Sequence, residues 1–197
     1  NTSNPYDGER RAGTVGMALP GVDMKITNPD NGETLAKGDI GQIEVRGPNV
    51  FVGYWNMPEK TREELRENGF FITGDLGRVD EHGYLQIVGR NKDLIISGGY
   101  NIYPKEIELV LDEQPGVLES AVIGAPHPDF GESVIGILVA DGSEPVDLDA
   151  IEADLGKTLA RFKQPRQLIL VESLPRNTMG KVQKNILRDE FDSTFQG

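Results

Sequence analysis

A lysine on a polar loop is the residue best placed for chemistry in this sequence. Pro175-Arg176-Asn177-Thr178-Met179-Gly180-Lys181 puts this lysine directly after a glycine and ahead of a helix predicted over 182–191. Its ammonium can neutralise a developing phosphate or carboxylate oxyanion. The loop is not a Walker-type phosphate loop, because Pro175 and Val182 replace that motif's first glycine and its Ser or Thr. The alternative is an ordinary solvated lysine.

A carboxylate between two glycines is the second candidate. The segment 71–77, Phe-Ile-Thr-Gly-Asp-Leu-Gly, predicts a strand that ends in an acidic turn at Asp75. A carboxylate there can accept two hydrogen bonds from a vicinal diol, such as the 2′ and 3′ hydroxyls of a ribose. Taken alone, Thr-Gly-Asp favours ordinary turn chemistry over a ligand site.

A third candidate region combines basic residues with paired glycines. Gly89-Arg90-Asn91-Lys92-Asp93 is followed by Gly98-Gly99-Tyr100-Asn101-Ile102-Tyr103-Pro104. Paired glycines let the backbone approach a ligand closely, and Arg90 could meet a ribose or a phosphate. A tight connection between a strand and a helix, with an arginine on the surface, is the other interpretation.

The charge of the chain is unevenly distributed. A net charge of −12 argues against non-specific binding of nucleic acid or anionic lipid. Residues 157–188 nevertheless carry +7, with Glu172 as their only acidic residue. Charge alone leaves open whether this basic segment is a solvated face or faces a phosphate. Its eight cations are Lys157, Arg161, Lys163, Arg166, Arg176, Lys181, Lys184 and Arg188.

Other kinds of site find no support in the sequence. The absence of cysteine excludes a disulfide scaffold, Cys-ligated zinc and a thiol nucleophile, and leaves the compartment undecided. His82 and His127 have no metal-ligand spacing, so we predict no metal site. The longest apolar run, 134–140, is far short of the roughly 18 residues of a membrane span. No signal peptide is visible, and we expect a cytoplasmic protein. Because the first residue is Asn1 rather than Met, we also expect a fragment.

The elements that must position these residues change in character near residue 91. Alternating patterns over 22–26 and 40–46 and a hairpin at 80–83 predict a β-rich part, with a short helix over 58–66. Beyond it we expect a helix from Pro104, strands over 117–123 and 134–140, a helix capped by Asp147 and a last buried strand over 167–171. The predicted class is α+β in two domains, 1–91 and 92–197, the second with a short sheet flanked by helices.

Taken in order, these segments resemble the adenylate-forming superfamily of acyl- and aryl-CoA synthetases, luciferases and nonribosomal-peptide adenylation domains. The resemblance covers essentially the whole chain, and 4–16 and 48–51 are most similar to malonyl-CoA synthetases. The motifs that carry it are Gly53-Tyr54-Trp55 with Pro58-Glu59-Lys60-Thr61, Thr73-Gly74-Asp75, Gly89 to Asp93, Gly98 to Glu108, and Pro175 to Lys181.

The resemblance implies an ATP-dependent, AMP-forming acid–CoA ligase. A small carboxylic acid, malonate or methylmalonate, and ATP with Mg²⁺ would give an acyl-adenylate, and CoA would then displace AMP. Residues 1–91 would be the C-terminal β-rich part of the large N-terminal domain, and 92–197 the mobile C-terminal domain. The phosphate loop, the Mg²⁺ ligand and the acid pocket lie upstream in the family, so this chain alone is expected to be inactive.

The resemblance also implies a role for each candidate residue. Asp75 and Arg90 would hold the ribose, and Lys181 would bridge the carboxylate and the α-phosphate in the first step. Lys92 would be the hinge of the C-terminal domain, and the turn at 98–99 (Gly98 and Gly99) would face the pantetheine arm of CoA. Lys181 would also be a target for a lysine acetyltransferase and deacetylase.

Three alternatives stay open at this point. An adenylation domain would load the phosphopantetheine of a carrier protein, and a related ligase would use another short acyl acid. A non-catalytic, acidic interaction module could keep the same fold, although it would have no need of Asp75, Arg90, Lys92 and Lys181.

Overall fold

The chain divides into two compact units. The computed structural model describes residues 1–196, and the units are Asn1–Lys92 (unit 1) and the part that begins at Asp93 (unit 2). The division lies one residue after the boundary expected from the sequence. Unit 1 is β-rich and unit 2 mixes helices with strands, which confirms the α+β class. No helix within residues 1–196 is both long enough and apolar enough to cross a membrane.

Unit 1 is built on a four-stranded antiparallel sheet in which neighbours in sequence are neighbours in space, in the order β3-β4-β5-β6. The core on this sheet contains Ile26, Ile43 and Val45, as the alternating pattern predicts, together with Leu85. The elements are β1 (Thr2–Ser3), β2 (Met17–Ala18), β3 (Asp23–Thr27), β4 (Gly41–Arg46), α1 (Pro58–Glu64), β5 (Phe71–Val79) and β6 (Leu85–Arg90).

One carboxylate of unit 1 is fully buried. The side chain of Glu44 on β4 is 0% exposed and accepts hydrogen bonds from Thr27 Oγ1 at 2.9 Å and Arg66 Nε at 2.9 Å. Lys25 Nζ lies 3.2 Å from its other oxygen. Burial acts to raise the pKa of Glu44, but the bonds from Arg66, Thr27 and Lys25 outweigh it and hold that pKa below its ordinary value.

Unit 2 has a five-stranded sheet around its longest hairpin. The central strand β10 (Gly131–Ala140) pairs antiparallel with β9 (Val117–His127) and β7 (Ile95–Ser97) and parallel with β11 (Gln167–Val171), and β7 pairs with β8 (Tyr100–Ile102). The elements are β7 (Ile95–Ser97), β8 (Tyr100–Ile102), α2 (Pro104–Leu111), β9 (Val117–His127), β10 (Gly131–Ala140), α3 (Leu148–Thr158), β11 (Gln167–Val171) and α4 (Lys184–Glu190).

Helices cover both faces of this sheet, as expected. The residues Leu111 and Leu155, from α2 and α3, pack in one apolar cluster, and Leu187 of α4 packs in the other. The α3 helix begins as the sequence predicts, because Asp147 Oδ1 accepts from the backbone N–H of Ala150 at 3.1 Å.

The structure corrects three details of the sequence-based prediction. Residues 95–102 form the β7–β8 hairpin, which the sequence did not predict, since three-residue strands show no periodicity, and which excludes the tight connection given above as an alternative. The β9 strand continues to His127 because Pro126 lies on a strand paired with β10 alone, where a missing N–H is tolerated. The last strand, β11, is not buried throughout, because only Leu168 within it is buried.

Candidate active site

Asp75 and Arg90 form an ion pair across two strands of unit 1. They are register partners on β5 and β6, and Arg90 Nε lies 3.0 Å from Asp75 Oδ1. The Asp75 side chain is 25% exposed, so its carboxylate can still reach a ligand. The hypothesis that both residues face one ligand is consistent with this geometry.

A bulge in β5 positions Asp75. Residues 73–75 of β5 lie opposite the single residue Ile43 of β4, where the register shifts. Thr73 Oγ1 donates to the carbonyl of Ile43 at 2.9 Å and accepts from the N–H of Asp75 at 3.1 Å. Gly74 has a φ of 75°, which glycine adopts without strain. The turn expected here is therefore a bulge inside a continuous strand, because β5 resumes its pairing at Leu76.

The loop of Lys181 is a small closed structure, which we call the Lys181 loop (175–183). The N–H of Gln183 donates to the carbonyl of Pro175 at 2.8 Å and closes its base. Asn177 Oδ1 accepts from the N–H groups of Met179 and Lys181, each at 3.0 Å. The backbone of Lys181 is thus fixed, while its side chain is exposed and has no ion pair or hydrogen bond to any residue of 1–196.

The paired glycines form the turn of the β7–β8 hairpin, which we call the Gly98 turn (97–100). Ser97 pairs with Tyr100, and Gly98 and Gly99 have φ values of 56° and 82°. Positive φ at both central residues is typical of a type I′ turn, in which side chains are disfavoured. The N–H of Gly98 also donates to the carbonyl of Phe130 at 2.9 Å, which ties the turn to the next hairpin.

A groove of about 520 Å³ lies beside the Gly98 turn. Arg166 lies over the ring of Phe130 at 4.3 Å, and the rings of Tyr100 and Phe162 stack at 4.6 Å. The sequence does not reveal this groove, because its residues come from three separate segments. The signal that could have found it is the pair Arg161 and Arg166 in the basic segment. Its lining is Ser97, Gly98, Tyr100, Phe130, Ser133, Val134, Arg161, Phe162, Gln164, Pro165 and Arg166.

Ion pairs within unit 2 occupy most of the basic segment. Arg161, Arg166 and Lys181 are its cations without a carboxylate partner in the described part of the chain. Arg161 and Arg166 line the groove, and Lys181 lies in the Lys181 loop. Of the eight cations in the basic segment, these three are therefore the ones free to face a phosphate. The other five cations of the segment each have a carboxylate partner, in the ion pairs Lys157–Asp154, Lys163–Glu106, Arg176–Glu119, Lys184–Glu108 and Arg188–Asp93.

Lys92 lies at the division between the units. It is exposed, in a single 3₁₀ turn over Asn91–Asp93. The next residue, Asp93, is held by Arg188 Nη2 at 2.6 Å. The predicted site residues therefore fall into two groups, Asp75 and Arg90 on unit 1 and the Gly98 turn with Lys181 on unit 2. Within residues 1–196 no group of three or more His, Cys, Asp or Glu could hold a metal ion.

Comparison with known proteins identifies the family. The AMP-binding enzyme family matches residues 2–55, and the AMP-binding enzyme C-terminal domain matches residues 106–181. A malonate–CoA ligase of Arabidopsis thaliana is 45% identical over 97% of this chain and 33% of its own length. The chain spans about a third of the length of the curated relatives it matches.

Solved structures agree with the sequence relatives. ATP-bound MatB of Rhodopseudomonas palustris is 58% identical over 99% of this chain and 39% of its own, with a TM-score of 0.93, and apo MatB gives 0.74. The o-succinylbenzoate–CoA synthetase of Bacillus subtilis, in complex with an acyl-adenylate, is 37% identical over 90% of this chain and 36% of its own, with a TM-score of 0.83. The chain belongs to the AMP-binding, adenylate-forming enzymes and matches the C-terminal part of their fold.

Proposed function

We propose that this chain is part of an ATP-dependent, AMP-forming acid–CoA ligase that acts on malonate or methylmalonate. The observation that carries the proposal is the 45% identity to a malonate–CoA ligase across 97% of the chain. The substrate is the finer part of the proposal, because this chain spans only a third of that relative's length, and we place the acid pocket in the part that it does not span.

In the first step, a carboxylate oxygen of the acid attacks the α-phosphorus of ATP. The new O–P bond gives the acyl-adenylate, and the bond to pyrophosphate breaks with its electron pair on the leaving group. We assign Lys181 the neutralisation of the negative charge that develops on the carboxylate and phosphate oxygens. Its fixed backbone and unpaired ammonium support this role, because no ion pair within residues 1–196 has to be broken first.

We propose that Asp75 and Arg90 hold the ribose of ATP. A carboxylate has about four lone-pair directions, so its contact with Arg90 leaves room for two hydroxyl donors. Because the pair lies on two adjacent strands, the ribose would meet a carboxylate of fixed orientation. Mg²⁺ bound to ATP would neutralise the phosphates, and we place its carboxylate ligand in the part of the relatives that this chain does not span.

In the second step, the sulfur of CoA attacks the acyl carbon, and the bond from that carbon to AMP breaks. The thiol proton passes to water. We propose that the pantetheine arm passes the Gly98 turn, where the absence of side chains at Gly98 and Gly99 permits close approach. The groove supports CoA as the acceptor, since Arg161 and Arg166 suit its phosphates and the aromatic rings suit its adenine.

We propose that Lys92 is the hinge about which unit 2 turns between the two steps. Lys181 would act in the first step, and the Gly98 turn would meet CoA in the second. Lys181 is needed only for adenylation and must withdraw before the thiol can enter. The ATP-bound and apo structures of MatB match this chain with TM-scores of 0.93 and 0.74, so that relative takes more than one conformation over the matched region.

Two further parts of the proposal concern regulation and location. The exposed ammonium of Lys181 is open to acetylation, which would remove the charge that the first step needs.

A cytoplasmic location follows the expectation from the sequence. The carrier-protein alternative is less well supported, because the groove with its two arginines fits a free nucleotide-bearing thiol.

The test of this function is acid-dependent pyrophosphate release by the full-length protein that carries this chain. Malonate, methylmalonate, acetate and longer acids are compared with ATP, with and without CoA. We expect the fastest release with malonate or methylmalonate, and a thioester product when CoA is present. Activity with acetate and none with malonate would overturn the substrate assignment.

A further inference from the structure

Two carboxylates on the β9–β10 hairpin each hold one of the two functional loops of unit 2. Glu119 lies on β9 opposite Val139, and Glu132 lies on β10 opposite Pro126. Positions 119 and 126 of β9 are seven residue steps apart, which corresponds to about 23 Å of strand. The two carboxylates are therefore near opposite ends of one rigid hairpin, and each has a different loop within reach.

Glu119 acts on the Lys181 loop through an arginine. Its carboxylate forms an ion pair with Arg176 Nη2, and Arg176 Nη1 donates to the carbonyl of Gly180 at 2.6 Å. That carbonyl belongs to the peptide that joins Gly180 to Lys181. The guanidinium thus links the sheet to the backbone beside Lys181, using two nitrogens of one planar group.

Glu132 acts directly on the strand that leads into the Gly98 turn. Its Oε2 accepts from the backbone N–H of Ile96 at 2.8 Å, two residues before Gly98. Gly124 makes room for this carboxylate, because a Cβ at that position would lie 2.8 Å from Glu132 Oε1. Gly131, the residue before Glu132, is in turn the register partner of Ser97.

We propose that Glu119 and Glu132 are positioning residues, each for a different half-reaction. Glu119, through Arg176, sets the Lys181 loop for adenylate formation. Glu132 sets the Gly98 turn for the attack by CoA. The inference rests on the proposed function for the identity of the two steps, and it adds residues that touch neither substrate.

The test separates the two half-reactions in the full-length protein. Adenylate formation is measured as pyrophosphate release without CoA, and thioester formation is measured from supplied acyl-adenylate and CoA. We expect Glu119→Gln to lower kcat for adenylate formation about tenfold, with the KM for ATP unchanged. The rate of thioester formation should stay within about twofold of that of the parent protein. We expect Glu132→Gln to lower kcat for thioester formation about tenfold and to leave the rate of adenylate formation within about twofold.

Two further variants sharpen this test. Arg176→Lys keeps a cation near Glu119 but lacks the fork that reaches Gly180, so we expect it to match Glu119→Gln. Asp154→Asn is the matched control, because it weakens an ion pair with Lys157 on α3 that contacts neither loop, and we expect it to change neither half-reaction.

Each outcome bears on one proposal. The positioning roles would be overturned if either glutamate variant lost both half-reactions equally. They would also be overturned if neither variant lost any activity, and in both cases the proposed function stands. If the unaltered protein releases no pyrophosphate with any carboxylic acid, the proposed function itself fails.

Discussion

The two units present the charges of the candidate site in opposite ways. In unit 1, Asp75 and Arg90 neutralise each other across neighbouring strands, with Asp75 set by a hydrogen-bonded bulge. In unit 2, the ammonium of Lys181 lies exposed on a loop and has no partner within residues 1–196. Under the proposed function, a ribose-binding pair benefits from a fixed sheet, whereas a charge needed in one step benefits from a segment that can withdraw.

The largest expected effect comes from removing the exposed charge. In the full-length protein, Lys181→Ala should lower the rate of adenylate formation about a hundredfold to a thousandfold, because the developing oxyanion loses the one cation that we propose this chain supplies to it. Thioester formation from supplied acyl-adenylate should continue at the normal rate. Pyrophosphate release and thioester formation are the two measurements.

Lys157→Ala is the control for this variant, since it removes another exposed lysine of the same segment, on α3. It should leave both half-reactions unchanged. Normal adenylate formation by Lys181→Ala would contradict the role assigned to this lysine.

The next effect tests the fixed side of the comparison. Asp75→Asn keeps an oxygen acceptor but loses the charge that strengthens the bonds from the ribose hydroxyls, so kcat/KM for ATP should fall about tenfold to thirtyfold. Asp23→Asn offers a matched control in the same sheet. Asp23 and Arg46 are also register partners with an ion pair, at 2.7 Å on β3 and β4. Equal losses in the two variants would mean that Asp75 acts only through the sheet.

The contrast between the units also explains what the sequence could predict. The chemistry of Asp75 and Lys181 depends on residue type and on local turn signals, so both candidates could be named without coordinates. The bulge at Asp75 could not be predicted, because it depends on the contact of Thr73 with Ile43, thirty residues earlier in the sequence. The Gly98 hairpin was missed for a related reason, since its strands are too short for a periodic pattern.

The groove beside the Gly98 turn and the buried charge of Glu44 could not be predicted from the sequence. The groove brings Tyr100 against Phe162 and Phe130 against Arg166, and no local pattern encodes these contacts. Similarly, the alternation of apolar residues along β4 does not reveal that Lys25 and Arg66 cover Glu44. Pairings between distant segments are set by tertiary packing, which single-sequence patterns do not contain.

A smaller effect concerns the connection between the two units. Lys92→Pro fixes φ at that residue and stiffens the 3₁₀ turn, so it should slow thioester formation several-fold more than adenylate formation. The ratio of the two half-reaction rates is the measurement, with Lys92→Ala as the control that removes the charge without fixing the backbone. Equal losses in both half-reactions would count against a hinge at this position.

The smallest expected effect is on stability and concerns the buried charge of unit 1. The pKa of Glu44 in the folded chain is lowered, although burial acts to raise it, because Arg66, Thr27 and Lys25 hold the charged form. A group whose pKa is lowered by folding stabilises the fold above its unfolded pKa, here about 4.5, and loses that contribution as the pH falls through the folded pKa. Glu44→Gln should therefore lower the free energy of unfolding by about 1 kcal/mol at pH 7.

The difference between the parent protein and Glu44→Gln should shrink when unfolding by urea is repeated at about pH 3.5, because below about pH 4.5 the unfolded parent takes up a proton that folded Glu44 binds less readily. Glu33→Gln is a suitable control, because Glu33 is exposed and its carboxylate has no ion pair within the described residues. A difference that stays constant from pH 7 to about pH 3.5 would show that the hydrogen-bond geometry of Glu44, rather than its charge, stabilises unit 1.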